Sequence, residues 1–330
     1  MATSLVTGGA GFIGAHLIRA LLCRGDHVVV LDDLSGGFAE NVPGDARLVE
    51  GSITDASAVE RAFAGERVDY VYHLAAYAAE GLSHFIRAYN YTNNVVGSMH
   101  VINACVRHEV RCLVFTSSIA VYGASQLPMS ESHAPRPEDP YGVAKYAVEL
   151  DLRAAHGMFG LEFVIFRPHN VYGEYQNIGD RYRNVIGIFM NRLMQGEPMP
   201  IFGDGSQTRA FSYVGDIVPA LAAAVHTPGA VGEVFNVGAS QEHSVSDLAT
   251  AVAAALGTDR RVIHLPARHE VRHAYGDHAK VRRVFGAQPE TPLADGLRRM
   301  AEWARVVGPR RARAFHDIEL SHNLPPSWRD

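Results

Sequence analysis

Short runs of β-branched and aromatic residues alternate with longer helical patterns through the first half of this chain. Strands that alternate with helices form βαβ units, whose parallel strands are joined by right-handed crossovers. The alternation therefore predicts an α/β fold built on a doubly wound parallel sheet. The predicted strands are Ser4–Thr7, His27–Leu31, Arg47–Glu50, Tyr70–Leu74, Cys112–Ser117 and Glu162–Arg167. The predicted helices between them are Ile13–Arg24, Ala56–Phe63, Thr92–His108 and Tyr141–Met158.

A glycine-rich segment, Thr7–Gly14, joins the first predicted strand to the first predicted helix. Its glycines at Gly8, Gly11 and Gly14 permit a tight turn, close approach of a ligand's diphosphate to the backbone, and close packing of helix on strand. A diphosphate in this position lies on the helix N-terminus. A glycine pattern alone is equally compatible with an ordinary βα turn, but its place between a strand and a helix is what a Rossmann-type dinucleotide site requires.

An acidic pair about twenty residues further on indicates which dinucleotide binds. Asp32 ends the second predicted strand, with Asp33 beside it. A carboxylate there hydrogen-bonds the adenosine ribose hydroxyls and repels a 2′-phosphate. No arginine follows in residues 34–37, so we predict NAD rather than NADP.

The sequence changes in character after about Arg167. Loops rich in Gly, Pro and Asn interrupt shorter elements, and the strand-like runs Phe211–Val214 and Glu233–Val237 are predicted to return to the sheet. We therefore expect residues 1–167, with returning segments near 211–240, to form the NAD-binding Rossmann domain. Residues 168–330 are expected to form mainly a smaller mixed α/β substrate domain.

Composition excludes several classes of protein. A formal net charge of −5 with 47% hydrophobic residues indicates a globular chain without the basic field that nucleic acid or an anionic membrane requires. Three cysteines without CxxC spacing, and 17 histidines without an HExxH motif, predict no metal site. No signal peptide and no apolar run long enough to span a membrane is present, so a cytoplasmic location is expected.

A tyrosine and a lysine, Tyr141 and Lys145, lie four residues apart on one predicted helical face. Only two of the 30 basic residues are lysines, so a lysine here is unusual for this chain. Asp139 as N-cap and Pro140 at the first helical position place Tyr141 in the first turn, where the helix dipole favours a phenolate. Such a pair alone is most often an ordinary surface pair.

Several motifs, in this order along the chain, resemble those of the extended short-chain dehydrogenase/reductase superfamily, and within it the nucleotide-sugar epimerases and dehydratases. The resemblance covers nearly the whole chain. The segments that carry it are Thr7–Gly14, His73–Ala76, Thr116–Gly123, Tyr141–Lys145, Arg167–Gly173 and Phe202–Arg209.

The resemblance implies that Ser118, Tyr141 and Lys145 form the catalytic set. Lys145 binds the nicotinamide ribose and lowers the pKa of Tyr141, Tyr141 takes a proton from a sugar hydroxyl, and Ser118 hydrogen-bonds the reacting oxygen. Where family members often carry an aspartate after the third strand, this chain has Ser52, expected near the adenine. The implied cofactor-binding residues are Gly8, Gly11, Phe12, Ile13, Gly14, Asp32, Asp33, Leu34, Ser35, Gly36, Ser52, Ile53, Leu74, Ala75, Ala76, Asn93, Ser117, Tyr141, Lys145 and Pro168.

Ile119 and Ala120, directly after Ser118, indicate the type of reaction. Dehydratases and decarboxylases of this superfamily usually carry acidic residues there, because eliminating water requires an additional acid and base. Isoleucine and alanine supply neither. The remaining chemistry is reversible hydride transfer at one carbon, as in the C4-epimerases, where a 4-keto sugar turns over in the site. A dehydratase, a ketoreductase and a non-catalytic NAD-binding sensor remain alternatives.

The same resemblance implies a UDP-sugar substrate and a set of residues that bind it. Asn170 and Asn184 resemble the diphosphate and uridine contacts, Arg209 and Arg272 the phosphate ligands, and Asp277 a ribose contact. The implied substrate-binding residues are Tyr77, Ala79, Glu80, Ser118, Tyr141, Asn170, Asn184, Val185, Arg192, Ile201, Phe202, Arg209, Arg272 and Asp277.

Arg192 bears on the identity of the sugar. It lies eight residues beyond Asn184, so one helix could turn both toward the ligand, and an arginine there could pair with a carboxylate at C6. This favours UDP-glucuronic acid to UDP-galacturonic acid over UDP-glucose to UDP-galactose. An arginine covering the domain surface explains the residue equally well. As in related enzymes, a homodimer is expected to form through Thr92–His108 and Tyr141–Met158.

Overall fold

A parallel sheet with helices on both faces organises the protein. The computed structural model describes residues 1–268, 271–287, 289–311, 315 and 317–329. The strands there are β1 (Thr3–Thr7), β2 (His27–Asp32), β3 (Arg47–Glu50), β4 (Tyr70–His73), β5 (Cys112–Thr116), β6 (Phe163–Pro168), β7 (Val171–Tyr172), β8 (Met199–Phe202), β9 (Thr208–Ala210), β10 (Ser212–Tyr213), β11 (Val234–Val237), β12 (Glu242–Ser244), β13 (Val262–Leu265) and β14 (His273–Ala274). The α-helices are α1 (Phe12–Arg24), α2 (Ala56–Phe63), α3 (Glu80–Ser83), α4 (Arg87–Tyr91), α5 (Gly97–Arg107), α6 (Pro140–Phe159), α7 (Val185–Met194), α8 (Val214–Ala223), α9 (Val245–Leu256), α10 (Ala279–Phe285) and α11 (Leu293–Val307).

Strand order confirms the predicted doubly wound sheet. Within the described residues the main sheet has seven strands in the order β11-β6-β5-β4-β1-β2-β3, and all of its strand pairs are parallel. The order reverses between β1 and β4, which opens a crevice at the carboxyl ends of the strands.

The core consists of two layers, one on each face of this sheet. Along β2, Val28 and Val30 pack into one hydrophobic cluster, whereas Val29 and Leu31 pack into the other. Successive side chains of a strand point to opposite faces, so a strand covered by helices on both sides must be apolar throughout. This arrangement explains the uninterrupted apolar run of β2.

One of the two predicted returning strands does not join the main sheet. β11 lies at the edge of the sheet beside β6, but the Phe211–Val214 run forms β10, which pairs with β7 in a separate two-stranded sheet. β6 ends at Pro168, the chain turns at Asn170 with a φ of 44°, and β11 already occupies the edge of β6. The prediction for 211–214 was therefore wrong, while the division into two domains stays a prediction.

The predicted helix Thr92–His108 is interrupted by a π-helical turn at Thr92–Val96, followed by α5. A π-turn inserts an additional residue and often occurs at functional sites. Here Asn93 faces the crevice while Asn94 is buried. The pairing of this helix with α6 in a homodimer stays a prediction; Val96 and Leu150 are half-exposed on the two helices.

In the described part of the chain, no helix combines the length and apolarity that crossing a membrane requires.

Candidate active site

A cleft of about 510 Å³ lies at the carboxyl ends of the central strands, within the size range of small-molecule sites. Most of the predicted site residues line it. On the cofactor side these are Gly8, Gly11, Phe12, Ile13, Gly14, Asp32, Asp33, Ser35, Gly36, Ile53, Leu74, Ala75, Ala76, Asn93, Ser117 and Pro168. With them are the predicted catalytic and substrate residues Ser118, Tyr141, Lys145, Tyr77, Glu80, Asn170, Asn184, Val185, Phe202 and Arg209.

The glycine turn has the close contacts that only glycine permits. Gly8 has a φ of 72°, and a Cβ on it would lie 2.7 Å from the backbone nitrogen of Ala75. A Cβ on Gly14 would lie 2.3 Å from the carbonyl oxygen of Gly8. Helix α1 starts after Gly11 with no side-chain cap and no acidic residue in its first turn. Its backbone N–H groups are therefore suited to the diphosphate of a dinucleotide.

Asp32 supports this turn and faces the cleft. Its carboxylate accepts hydrogen bonds from the backbone N–H groups of Ala10 at 3.0 Å and Leu34 at 2.9 Å. Burial raises its pKa, and these hydrogen bonds oppose the rise. A carboxylate fixed at the end of β2 fits the ribose hydroxyls of NAD. Leu34 donates its backbone N–H to Asp32, but it is not among the described residues that line the cleft.

Local capping positions the tyrosine as predicted. Asp139 accepts a hydrogen bond from the Gly142 N–H at 2.9 Å, and Pro140 is the first residue of α6. Tyr141 consequently lies in the first turn, 8% exposed, with the Ser118 side chain near enough to oppose the rise of its pKa. Ser118 in turn accepts the Ala120 N–H at 3.1 Å and starts the short 3-10 helix that follows β5.

Lys145 was expected to lower the pKa of Tyr141, but it is not among the groups that shift this pKa. Burial raises the pKa of Tyr141, and the nearby carboxylates of Asp139 and Glu80 raise it further, against the Ser118 hydrogen bond and Arg183. The Lys145 ammonium lies 5.8 Å from the centroid of the Tyr141 ring. Removal of the phenol from water therefore has a larger effect on its pKa than the positive charge of Lys145.

Lys145 is held instead against the end of β5. Its Nζ donates to the Thr116 carbonyl oxygen at 2.8 Å and lies 4.8 Å from the Phe115 ring centroid. Burial lowers the pKa of Lys145 to about 7, and Glu149 opposes this shift. The side chain is thus fixed at the cleft floor with a titration near neutrality, which lysine permits and arginine does not.

A buried ion pair behind the site was missed by sequence reasoning. Arg167 donates from Nε and NH2 to the two oxygens of Glu149 at 2.9 and 2.5 Å, and the Ser117 hydroxyl donates to Glu149 at 2.5 Å. Glu149 lies eight residues after Tyr141, on the face shared with Lys145. The i+8 spacing is visible in the sequence, but the partner on β6 is not.

Glu149→Gln is expected to destabilise the fold by about 3–5 kcal/mol, because it leaves the Arg167 charge buried and unpaired. Arg167 and Glu149 side chains are only 4% and 1% exposed, so water cannot compensate. Urea unfolding should show a lower midpoint with an unchanged slope. The matched control is Glu302→Gln, which breaks an exposed pair with Arg298 and should cost less than about 1 kcal/mol. Equal midpoints for the two variants contradict this account of the pair.

A second missed element links helix α6 to the stretch that follows β4. The Asn94 side chain pairs with the backbone of Tyr77, accepting its N–H at 2.8 Å and donating to its carbonyl at 3.1 Å. It also donates to Asn90, which donates to the Pro140 carbonyl at 2.9 Å. These buried amides fix the spacing between Tyr77 and the start of α6.

The structure places Arg192 away from the cleft, so its predicted role was wrong. Asn184 directly precedes α7, but Arg192 lies near the other end of this helix. Eight residues at a rise of 1.5 Å each separate the two positions by about 12 Å. There the Arg192 guanidinium donates to the Pro198 carbonyl at 2.8 Å and pairs with Glu197 at 3.3 Å.

Other predicted contacts also fall outside the described lining of the cleft. Arg272 is exposed and donates to Ser206 at 3.3 Å, while Asp277 accepts the Ala279 N–H at the start of α10. The Ser52 hydroxyl bonds to Thr54 at 2.9 Å. Ala79 and Ile201 are core residues, 2% and 0% exposed. For these positions, motif spacing gave the segment but not the direction of the side chain.

Arg183 is a cleft residue that the sequence did not reveal. Its Nε pairs with Asp180 at 2.6 Å, and its guanidinium lies 4.8 Å from the Tyr77 ring centroid. The guanidinium also faces the cofactor loop, with NH2 3.2 Å from where a Gly36 Cβ would lie. It therefore brings a partly buried positive charge to the boundary between the two halves of the cleft.

No group of three or more His, Cys, Asp or Glu side chains suited to a metal ion occurs within the described ranges.

Comparison with known proteins decides the family. The model of the NAD-dependent epimerase/dehydratase family matches residues 4–238. The chain belongs to this family. A UDP-glucose 4-epimerase of Mycolicibacterium smegmatis is 36% identical over 309 residues, which cover 92% of this chain and 98% of that protein. Dehydratases and decarboxylases of sugar nucleotides are among its further relatives.

Solved structures of the family agree with the fold. The UDP-glucose 4-epimerase of Thermotoga maritima with UDP-glucose has a TM-score of 0.87 and 34% identity, covering 92% of this chain and 99% of that one. The UDP-glucuronic acid 4-epimerase of Bacillus cereus, with a fluorinated UDP-glucuronic acid and NAD, has a TM-score of 0.83 and 28% identity at the same coverage. NAD is thus the family's cofactor, and the glycine turn and Asp32 of this chain fit it.

Proposed function

We propose that this protein is an NAD-dependent UDP-sugar 4-epimerase. The observation that carries the proposal is the composition of the cleft around Ser118 and Tyr141. A hydroxyl pair faces the cleft, and Ile119 and Ala120 follow it where an eliminating enzyme needs an acid and a base. The nearby carboxylates of Asp139 and Glu138 already accept backbone N–H groups. One proton-transfer group with one supporting hydroxyl suits reaction at a single carbon.

In this proposal each catalytic side chain has one role. NAD, when bound, would supply the acceptor for the C4 hydride and the donor that returns it to the opposite face of the sugar. Tyr141 takes the proton of the 4-hydroxyl and gives it back, while Ser118 hydrogen-bonds the same oxygen. Burial holds the pKa of Tyr141 high. To accept the proton, the phenol therefore requires more positive charge near it than its surrounding residues supply. Lys145, fixed on Thr116, holds the cofactor's ribose.

Two of the arginines that line the cleft, Arg209 and Arg183, are assigned to the substrate diphosphate. Arg209 donates to the carbonyls of Thr208, Arg272 and Val271 at 2.8, 3.0 and 2.5 Å, which fixes its guanidinium. Arg183 also lines the cleft, so it replaces Arg272 in the predicted pair of phosphate ligands. Two fixed guanidinium groups match the oxygens of a diphosphate.

For the sugar we propose UDP-glucose and UDP-galactose rather than the uronic acids. Arg192, the predicted partner of a C6 carboxylate, pairs with Glu197 outside the cleft. Carboxylates of Glu80 and Asp139 lie near enough to Tyr141 to raise its pKa. A further carboxylate on the sugar would be repelled by them. Arg183, which also lines the cleft, is the cation that would attract such a carboxylate.

Rates with the two sugars test this assignment. We expect kcat/KM for UDP-glucose to exceed that for UDP-glucuronic acid by at least about tenfold, or about 1.4 kcal/mol. Arg192→Ala should leave this ratio unchanged, because Arg192 does not line the cleft. A preference for UDP-glucuronic acid, lost in Arg192→Ala, contradicts the assignment. Formation of UDP-galactose and UDP-galacturonic acid is measured by NMR.

A further inference from the structure

The C-terminal segment, defined as Phe315 and residues 317–329, packs against both walls of the substrate end of the cleft. On one wall, Phe315 contacts the rings of Tyr77 and Tyr89 at centroid distances of 5.4 and 4.8 Å. On the other, the Phe315 N–H donates to the Tyr182 hydroxyl at 3.1 Å. Tyr77, Tyr89 and Tyr182 all line the cleft. The segment therefore joins the stretch after β4 to the stretch before α7.

Glu319 anchors the segment to the first wall. Its two carboxylate oxygens accept the backbone N–H groups of Ala88 and Tyr89, each at 2.8 Å. The N–H groups of Glu319 and Leu320 donate back to the Phe85 carbonyl at 2.9 and 3.2 Å. Hydrogen bonds to a charged acceptor are about twice as strong as neutral ones, so this end of the segment has a defined register.

Trp328 anchors the other end behind the cleft. Its indole is 6% exposed and has edge contacts with Tyr182 at 5.5 Å and Phe202 at 6.3 Å between ring centroids. The Arg268 guanidinium lies 4.5 Å from the Phe202 ring and 5.9 Å from the indole. Tyr182, Phe202 and Arg268 line the cleft, whereas Trp328 lies behind them among the described residues.

The first wall also rests on this indole. A Cβ on Gly81, which lines the cleft, would lie 3.2 Å from Cη2 of Trp328. One aromatic ring thus supports cleft-lining residues on both walls. The family model ends at residue 238, so this support comes from outside the matched part of the chain.

We propose that the C-terminal segment is a component of the UDP-sugar site and that Trp328 is a positioning residue for it. Trp328 acts through Phe202 and Arg268, whose placement determines how tightly the nucleotide sugar is held. This inference rests on the proposed function for the identity of the ligand. The contacts of Trp328 lie on substrate residues and not on the glycine turn or Asp32, so the segment sets substrate affinity and leaves NAD binding unaffected.

Kinetics of Trp328→Ala test the proposal. We expect KM for UDP-glucose to rise about tenfold while kcat stays within about twofold, since uniform binding is lost and the chemistry is not touched. Retained NAD should equal that of the wild type. A purely structural role would instead lower kcat and NAD content together at constant KM. Trp328→Phe, which keeps an aromatic ring, should recover most of the affinity.

A second variant covers the case in which Trp328→Ala does not fold. Glu319→Gln keeps the shape of the other anchor but weakens its charge-assisted bonds, and we expect KM to rise about threefold. Val306→Ala is the control, because Val306 lies on α11, outside the segment, and is 88% exposed; its KM should match the wild type. Unchanged KM in Glu319→Gln, or in folded Trp328→Ala, overturns the proposal.

Binding of UDP separates this inference from the proposed reaction. Calorimetry with UDP requires no turnover, so it remains informative if the wild type epimerises no sugar. We expect the Kd for UDP to be about tenfold weaker in Trp328→Ala than in the wild type. Equal Kd values in the two proteins overturn the role of the segment, whatever reaction the enzyme performs.

Discussion

Tyr141→Phe is expected to lower kcat by about 10²–10⁴-fold, the usual contribution of a positioned acid–base group. The variant removes one oxygen from a side chain that is 8% exposed and whose pKa the Ser118 side chain lowers against the effect of burial. The ring still fills its place in the first turn of α6, so the fold and the cleft should be preserved. Of the carboxylates near Tyr141, that of Asp139 already accepts the Gly142 N–H.

Two measurements of ligand binding serve as controls for Tyr141→Phe. Retained NAD and the Kd for UDP should match the wild type, because neither the glycine turn nor Arg209 contacts the lost hydroxyl. Turnover within about tenfold of the wild type would show that another group moves the proton. Glu80, whose carboxylate raises the pKa of Tyr141, would then be the first residue to test.

Lys145→Arg is expected to lower kcat/KM by about 100-fold and to weaken retention of NAD. Lys145 is 3% exposed, and its Nζ donates to the Thr116 carbonyl at 2.8 Å. The larger planar guanidinium must displace this packing, and small displacements at a reacting centre can cost about 100-fold. Arginine also fixes the charge, whereas burial lowers the pKa of Lys145 to about 7.

The protein supplies its own control for this substitution. Lys280, the other lysine, pairs with Glu233 at 2.6 Å on the surface, and Lys280→Arg should leave activity and NAD content unchanged. Initial rates and the NAD released on denaturation measure both variants. Near-normal turnover in Lys145→Arg would mean that the lysine is dispensable and that the reading of this helix is wrong.

Features that depend on neighbouring residues could be predicted from the sequence. Asp139 and Pro140 specify the start of α6 through capping and a fixed φ, and they placed Tyr141 correctly. The glycines between β1 and α1 likewise identified the dinucleotide turn, since only glycine tolerates the approach of Gly14 to the Gly8 carbonyl. Alternation of apolar runs with helical patterns was sufficient for the doubly wound sheet.

Features that depend on the direction of a side chain could not be predicted from the sequence. Helical spacing put Arg192 in the right helix, but the rise of α7 carried it beyond the cleft to Glu197. Arg183, one residue before the cap of that helix, reaches the cleft because Asp180 holds its guanidinium. Glu149 and Arg167 meet across 18 residues, and no local pattern encodes that contact. Each depends on packing between distant segments.

Transfer of the C4 hydrogen distinguishes epimerisation at one carbon from the alternative reactions. UDP-glucose carrying deuterium at C4 is incubated with the purified protein in ordinary water, without added cofactor, and the product is analysed by NMR. For a C4-epimerase we expect UDP-galactose that retains the deuterium at C4, with no net formation of NADH. Loss of deuterium to water, product only upon stoichiometric consumption of NADH, or no epimerised product would contradict it.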